Sequence, residues 1–212
     1  MSKPLKSHWV AVKRILRYLK DTISCGLHLQ PALQSKPLSI MAFCDADWAS
    51  DVDDRKSTSG SAIFLGPNLI AWWSRKQKII ARSSTKAEYR IIAHSSAEIL
   101  WIQELLKELS LSLCTPVLLC DNQSVVAIAH NCVFHSRTKH MEIDVFYVRD
   151  QVLSKQLNVS HISSLDKWAD ILTKLLSTNH FQQLQSKLNV QDFIRQKPHL
   201  KFEGGISIVL LL

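Results

Sequence analysis

Apolar positions recur every third or fourth residue between residues 7 and 20, where Trp9, Val12, Ile15, Leu16 and Leu19 make one stripe. Lys13, Arg14, Arg17 and Lys20 fall on the other faces, so this stretch predicts an amphipathic helix. Residues 25–29 read as a short strand, and Pro31 to Pro37 as a linker without periodicity. The pattern then changes. Residues 38–44 are almost continuously apolar between Pro37 and Asp45, as in a central strand buried on both faces. A polar loop over 51–60 leads to a strand at 61–65, a Gly66-Pro67-Asn68 turn and a strand at 69–73. Three strands with no helix between them predict an antiparallel meander. Residues 85–109 carry the strongest helical signal, through Ile91, Ile92, Ser95, Ile99, Ile102, Leu106 and Leu109. A strand at 117–120, helices at 124–129 and 141–153, a strand at 157–162 and a helix at 168–176 complete the series. The order predicts an α/β domain with a mixed sheet: three antiparallel strands, then parallel additions through helices packed on it.

The 212 residues suffice for one domain with appendages, and 46% hydrophobic with 21% charged residues allows a packed core. A formal net charge of +8 favours a polyanionic partner, most simply nucleic acid. The five cysteines form no C-x-x-C pair, so neither a disulfide framework nor a zinc knuckle is indicated. Cys120, His130, Cys132 and His135 match no zinc spacing, and Cys44 and Cys120 sit in apolar runs as small hydrophobes. Reduced cysteines suit an intracellular setting, cytoplasmic or nuclear. No signal peptide opens the chain, and its longest apolar run, Ile206 to Leu212, is too short to span a bilayer.

The candidate chemistry lies in acids at element ends. Asp45 closes the first strand of the meander and Asp121 closes the strand at 117–120. If these strands are parallel neighbours, both carboxylates emerge at one carboxyl edge. Glu88 lies on the first turn of the long helix, on the face of Ile91 and Ile92, and Asp170 on the first turn of the last helix. Convergent carboxylates repel one another unless cations compensate them. An all-oxygen set selects Mg²⁺, with Mn²⁺ as a substitute, and two such ions about 3.5–4 Å apart drive phosphodiester displacement. Each acid also has a plainer reading. Thr85 to Glu88 is a T-x-x-E capping box, Asp170 complements a helix dipole, Asp121-Asn122 caps the following helix, and Asp45 and Asp47 are turn acids.

Around these acids the chain resembles the ribonuclease H domain of Ty1/copia-type retrotransposon polyproteins. The resemblance rests on Phe43-Cys44-Asp45-Ala46-Asp47-Trp48-Ala49, Arg55 to Gly60, Trp73 to Gln77, Ser84 to Tyr89, Cys120-Asp121-Asn122, Arg137-Thr138-Lys139-His140 and Ala169 to Lys174, in the family's order. It implies a ribonuclease H-like fold with a mixed five-stranded sheet and helices on both faces. It implies Mg²⁺-dependent cleavage of the RNA strand of an RNA–DNA hybrid, leaving a 3′-hydroxyl and a 5′-phosphate. By motif position Asp45, Glu88, Asp121 and Asp170 match the four catalytic acids and metal ligands, and Asp47 becomes a neighbour in the turn. Residues 1–36 resemble the segment after a reverse-transcriptase core, residues 37–180 form the ribonuclease H-like domain, and residues 181–212 are a tail. A reverse-transcriptase domain of the parent polyprotein is the expected protein partner, and no membrane is expected.

Arg55, Lys56, Arg75, Lys76, Lys78 and Arg82 flank the expected site in loops and are candidates to track phosphates. Ser57, Thr58, Asn122 and Gln123 are candidate contacts to the hybrid, through its 2′-hydroxyls. Of Trp72 and Trp73, one is expected buried and one partly exposed; His140 and His161 are candidate proton shuttles. The alternative function is a catalytically inactive relic that binds nucleic acid through its basic face.

Overall fold

The computed structural model describes residues 3–31, 37–131, 142–192 and 207–208. Its centre is a five-stranded sheet of β2 (Ile40–Asp47), β3 (Thr58–Leu65), β4 (Asn68–Lys76), β5 (Val117–Cys120) and β6 (Asn158–His161) in the order β4-β3-β2-β5-β6. The meander β2-β3-β4 is antiparallel; β5 joins β2 in parallel and β6 joins β5 in parallel. This is the expected arrangement. β3 and β4 run a few residues further than the apolar pattern suggested, because ladder pairs Thr58↔Lys76 and Ser59↔Arg75 extend the hairpin into polar sequence.

Period-two alternation sorts β2 onto two cores. Ala42, Cys44 and Ala46 face α2 (Ser84–Glu108) together with Ile91, Ile92 and Ile99. Those three isoleucines are at most 1% exposed, and burying each is worth about 1.5–3 kcal/mol. α3 (Gln123–His130) and α4 (Glu142–Leu153) lie on the same side. Phe43 faces the other way, stacked on Trp168 at 4.3 Å between ring centres, with Phe64 edge-on to both.

That second face is covered by more than the sequence predicted. α5 (Thr178–Lys187), capped by Ser177, leads into β7 (Val190–Asp192), which pairs antiparallel with β1 (Cys25–His28). Leu27, Leu188 and Val190 join Phe43 and Phe64 in one core, so β1 packs with the main sheet's residues. The expected break at residue 180 falls inside α5. β8 (Ser207–Ile208) pairs with the other edge of β1. By contrast, α1 (Lys6–Thr22) forms as predicted but buries none of its residues, and its apolar stripe is exposed. The helix expected at 168–176 is only a 3₁₀ turn, Trp168–Leu172. Just after it, the Thr173 and Lys174 side chains reach Asp45. Trp72 and Trp73 are both half-buried, since consecutive strand residues pack on opposite cores. The Arg137 to His140 motif, Cys132 and His135, and residues 193–206 and 209–212 of the expected tail lie outside the described residues.

Candidate active site

Asp45 and Asp121 stand at the carboxyl ends of the parallel neighbours β2 and β5. Asp45 shares Phe43's parity and so faces the side that carries the Trp168–Leu172 turn. Its carboxylate is buried, at 4% exposure. Thr173 Oγ1 donates to Asp45 Oδ2, and Lys174 Nζ lies 3.2 Å from Asp45 Oδ1 and 2.7 Å from Asp170 Oδ1. One ammonium therefore ties two acids from two elements. Burial opposes its charge, but the bond to Asp170 and the charge of Asp45 outweigh this and hold the Lys174 pKa above its ordinary value.

Glu88 approaches from α2. The capping-box reading of this residue does not hold: α2 is capped by Ser83, whose Oγ accepts from Lys86 N at 3.3 Å. Glu88 is left half-buried beside β5, where Cys120 Sγ lies 3.8 Å from its Oε2. Donor atoms of Glu88, Cys120 and Asp121 all fall within 4.8 Å of one another. Likewise Asn122, not Asp121, caps α3, accepting from Ser124 N at 2.9 Å and Val125 N at 3.2 Å. Asp121 is thereby released to the cluster, where Lys167 Nζ forms an ion pair with its Oδ2. Burial, and then the charges of Asp121 and Asp45, push the Glu88 carboxyl up. Burial also raises Asp170, helped by Asp45 and opposed by Lys174. Asp47 lies near enough for Lys174 and Asp45 to bear on its carboxyl, which burial raises.

Four carboxylates thus come from β2, α2, β5 and the 3₁₀ turn to one edge of the sheet, and two lysines already partly compensate them. The carboxylate oxygens suit a hard divalent cation, and Cys120 Sγ stands among them as a soft atom. Sequence reasoning missed Lys167, Thr173, Lys174 and Cys120. Lys174 had a readable signal, standing four residues after Asp170, but its reach to Asp45 is a tertiary contact.

The candidate nucleic-acid residues divide. Arg55, Arg75, Lys78 and Arg82 are exposed. Lys56 and Lys76 are engaged: Lys56 pairs with Asp54 at 3.0 Å, and Lys76 with Asp51 at 2.6 Å and Asp54 at 3.0 Å. Thr58 bonds Ser50 through their hydroxyls at 3.1 Å. Ser57 is a correction: it is fully buried and its Oγ accepts from Ala49 N at 3.2 Å, so its hydroxyl closes the loop and does not face a ligand. His161 is exposed at the end of β6, while His130 Nε2 bonds Val159 O at 2.7 Å.

A sheet of this order, with acids at the ends of its two central parallel strands, defines a ribonuclease H-like domain. The chain is 46% identical over 191 residues to the retrovirus-related Pol polyprotein from transposon RE2 of Arabidopsis thaliana, covering 90% of this chain and 13% of the relative. It is 37% identical over 182 residues to the Pol polyprotein from transposon TNT 1-94 of Nicotiana tabacum, covering 86% and 13%. The chain belongs to the Ty1/copia-type retrotransposon Pol polyproteins, and it spans about 13% of the length of these relatives. No protein-family model matches it. Among solved structures it is similar to the N-terminal RNase H domain of a Mycobacterium tuberculosis protein, at TM-score 0.46 and 13% identity over 70% of this chain and 97% of that one. It is also similar to RNase H1 from Halobacterium salinarum NRC-1, at TM-score 0.43 and 14% identity over 68% and 98%. No helix among the described residues is long and apolar enough to cross a membrane.

Proposed function

We propose that this domain hydrolyses the RNA strand of RNA–DNA hybrids, within a copia-type Pol polyprotein and beside its reverse-transcriptase domain. The observation that carries this reading is the meeting of Asp45, Glu88, Asp121 and Asp170 at one sheet edge. Asp45, Glu88, Asp121 and Asp170 would hold divalent cations, Mg²⁺ or Mn²⁺, which when bound supply charge neutralisation and Lewis acidity at a phosphodiester.

The chain's own residues orient this set. The Thr173 hydroxyl fixes the rotation of the Asp45 carboxylate, and Lys174 keeps Asp170 against it. Asn122 serves as the α3 cap, which sets where Asp121 leaves β5. The ammonium groups of Lys167 and Lys174 hold positive charge where an anionic phosphate must approach four acids. Exposed Arg55, Arg75, Lys78 and Arg82 track the phosphates beyond the cut, and Asn122 lies at the edge of the acids. Cleavage by water leaves a 3′-hydroxyl and a 5′-phosphate. Incubation of the chain with an end-labelled hybrid and Mg²⁺ tests the reading: RNA-strand cutting is expected, and intact RNA counts against it.

A second reading, a non-catalytic domain that binds nucleic acid through its basic face, draws on the same lysines. Lys167 and Lys174 compensate Asp121, Asp45 and Asp170 without any metal. It predicts salt-sensitive hybrid binding with no turnover at any Mg²⁺ concentration.

A further inference from the structure

A groove of about 730 Å³ lies apart from the acids, between the end of β4, the flank of α2 and the start of α4. Pockets of about 300–1,000 Å³ are the usual size for small organic ligands, a nucleotide included. Trp73 and Gln77 line it, and both carry an unused polar atom. Trp73 Nε1, a donor, and Gln77 Oε1, an acceptor, are buried and have no hydrogen-bond partner among the described residues. Buried polar groups are seldom left unpaired, so a pair of them at one groove points to something that satisfies them.

The rest of the lining tells what kind of thing. Arg75, Lys78 and Arg90 bring positive charge, against Asp144 as the one acid among the described lining residues. Arg90 spends Nη1 on Ile79 O at 3.0 Å, which anchors the loop and leaves the other guanidinium N–H groups in reserve. The Trp73 ring has Arg75 Cζ 5.4 Å from its centre and the His94 ring 5.5 Å away, while Ile143 and Tyr147 supply an apolar wall. The ligand must therefore be anionic, have a flat or apolar part, and present an acceptor and a donor. A nucleobase edge with flanking phosphates meets all three conditions.

Position selects a polymer over a free nucleotide. Gln77 Nε2 donates to Ser59 Oγ at 2.8 Å and to Ala87 O at 2.9 Å, and α2 carries both Glu88 and the groove residue Arg90. We propose that this groove receives an unpaired nucleotide of a single-stranded stretch of nucleic acid, with its base edge on Trp73 Nε1 and Gln77 Oε1 and its phosphates on Arg75, Lys78 and Arg90. The assignment extends the hybrid-processing reading of the acids, but it is read out by binding, so failure of either leaves the other intact.

The test uses the full chain labelled with ¹⁵N, with the Trp73 indole resonance identified by its loss in Trp73→Phe. Adding a short oligothymidylate is expected to shift that resonance. Trp73→Phe keeps an aromatic ring but removes the orphan donor with part of the indole's area, and Ile143→Glu adds a negative charge to a wall residue that is 85% exposed. By fluorescence anisotropy at one fixed salt concentration, each is expected to weaken oligothymidylate binding about tenfold. Affinity for a blunt hybrid is expected to change less than about threefold. Should Trp73→Phe fail to fold, Ile143→Glu decides alone. The proposal is overturned if oligothymidylate affinity is unchanged, if both nucleic acids lose affinity equally, or if an oligoglutamate peptide moves the indole resonance as far.

Discussion

Replacing Gly60 by alanine places a methyl carbon 2.6 Å from Leu172 Cβ and 2.9 Å from Thr173 Cγ2. Gly60 is the ladder partner of Asp45, and Leu172 and Thr173 end the turn that carries Asp170. The missing side chain is what lets that turn close on the sheet. One neighbour is a Cβ rigidly attached to backbone, so the turn itself must move by several tenths of an ångström. Overpacking of this kind costs about 1–3 kcal/mol. With an m-value of about 2 kcal/mol per molar urea, the unfolding midpoint should fall by about 0.5–1.5 M. The movement also pulls Thr173 Oγ1 from Asp45 Oδ2, so any hybrid cleavage should drop with stability. Gly66→Ala is the control: at φ +57° it meets nothing within 4 Å, and it pays only the left-handed backbone cost of about 1 kcal/mol without touching the acids. A Gly60→Ala protein with the wild-type midpoint and wild-type cleavage would refute the close-approach reasoning.

Lys174→Met should cost the metal-free protein about 1–3 kcal/mol, because among the described residues buried Asp45 keeps only Thr173 as a side-chain donor; Mg²⁺ should restore part of the loss, seen as a larger midpoint gain than in wild type. Glu88 has a raised folded pKa, so the folded state binds more protons than the unfolded one above the ordinary value of 4.5, and stability falls as pH rises through the folded pKa. In EDTA, Glu88→Gln should therefore be more stable than wild type at neutral pH and lose this advantage below pH 4.5; an advantage that grows on acidification would contradict the burial argument. Lys78→Ala should lower the salt slope of hybrid binding by about one. Lys76→Ala should lower it less, since Asp51 and Asp54 already hold that ammonium.

Much of the domain was legible because its elements announce themselves locally. The β2-β3-β4 meander and α2 follow from period-two and period-3.6 patterns set by burial, and strand ends mark Asp45 and Asp121. The capping-box reading of Glu88 failed because Ser83 outcompetes Thr85 as the α2 cap, whereas the cap read at Asp121-Asn122 holds through Asn122 and leaves Asp121 to the cluster. The illegible parts are tertiary. α5 and β7 carry few fully buried residues, and β7 becomes a strand only through pairing with β1, more than 150 residues away. The helix expected after Trp168 is only a 3₁₀ turn, and the contacts of Thr173 and Lys174 with Asp45, far away along the chain, have no local signal. Buried Ser57 is likewise tied by tertiary bonds, its Oγ to Ala49 N and its backbone O to Gln77 N, which no local pattern signals.

The central claim is that the four converged acids cut RNA. Its most direct test is a gel assay of an end-labelled RNA–DNA hybrid with Mg²⁺, comparing wild type with Asp45→Asn and Asp121→Asn. The account predicts RNA-strand cutting that needs the divalent ion and falls by at least about 10²-fold in each variant, with hybrid binding retained. No cutting by wild type under conditions where it binds the hybrid, or undiminished cutting by either variant, would contradict it.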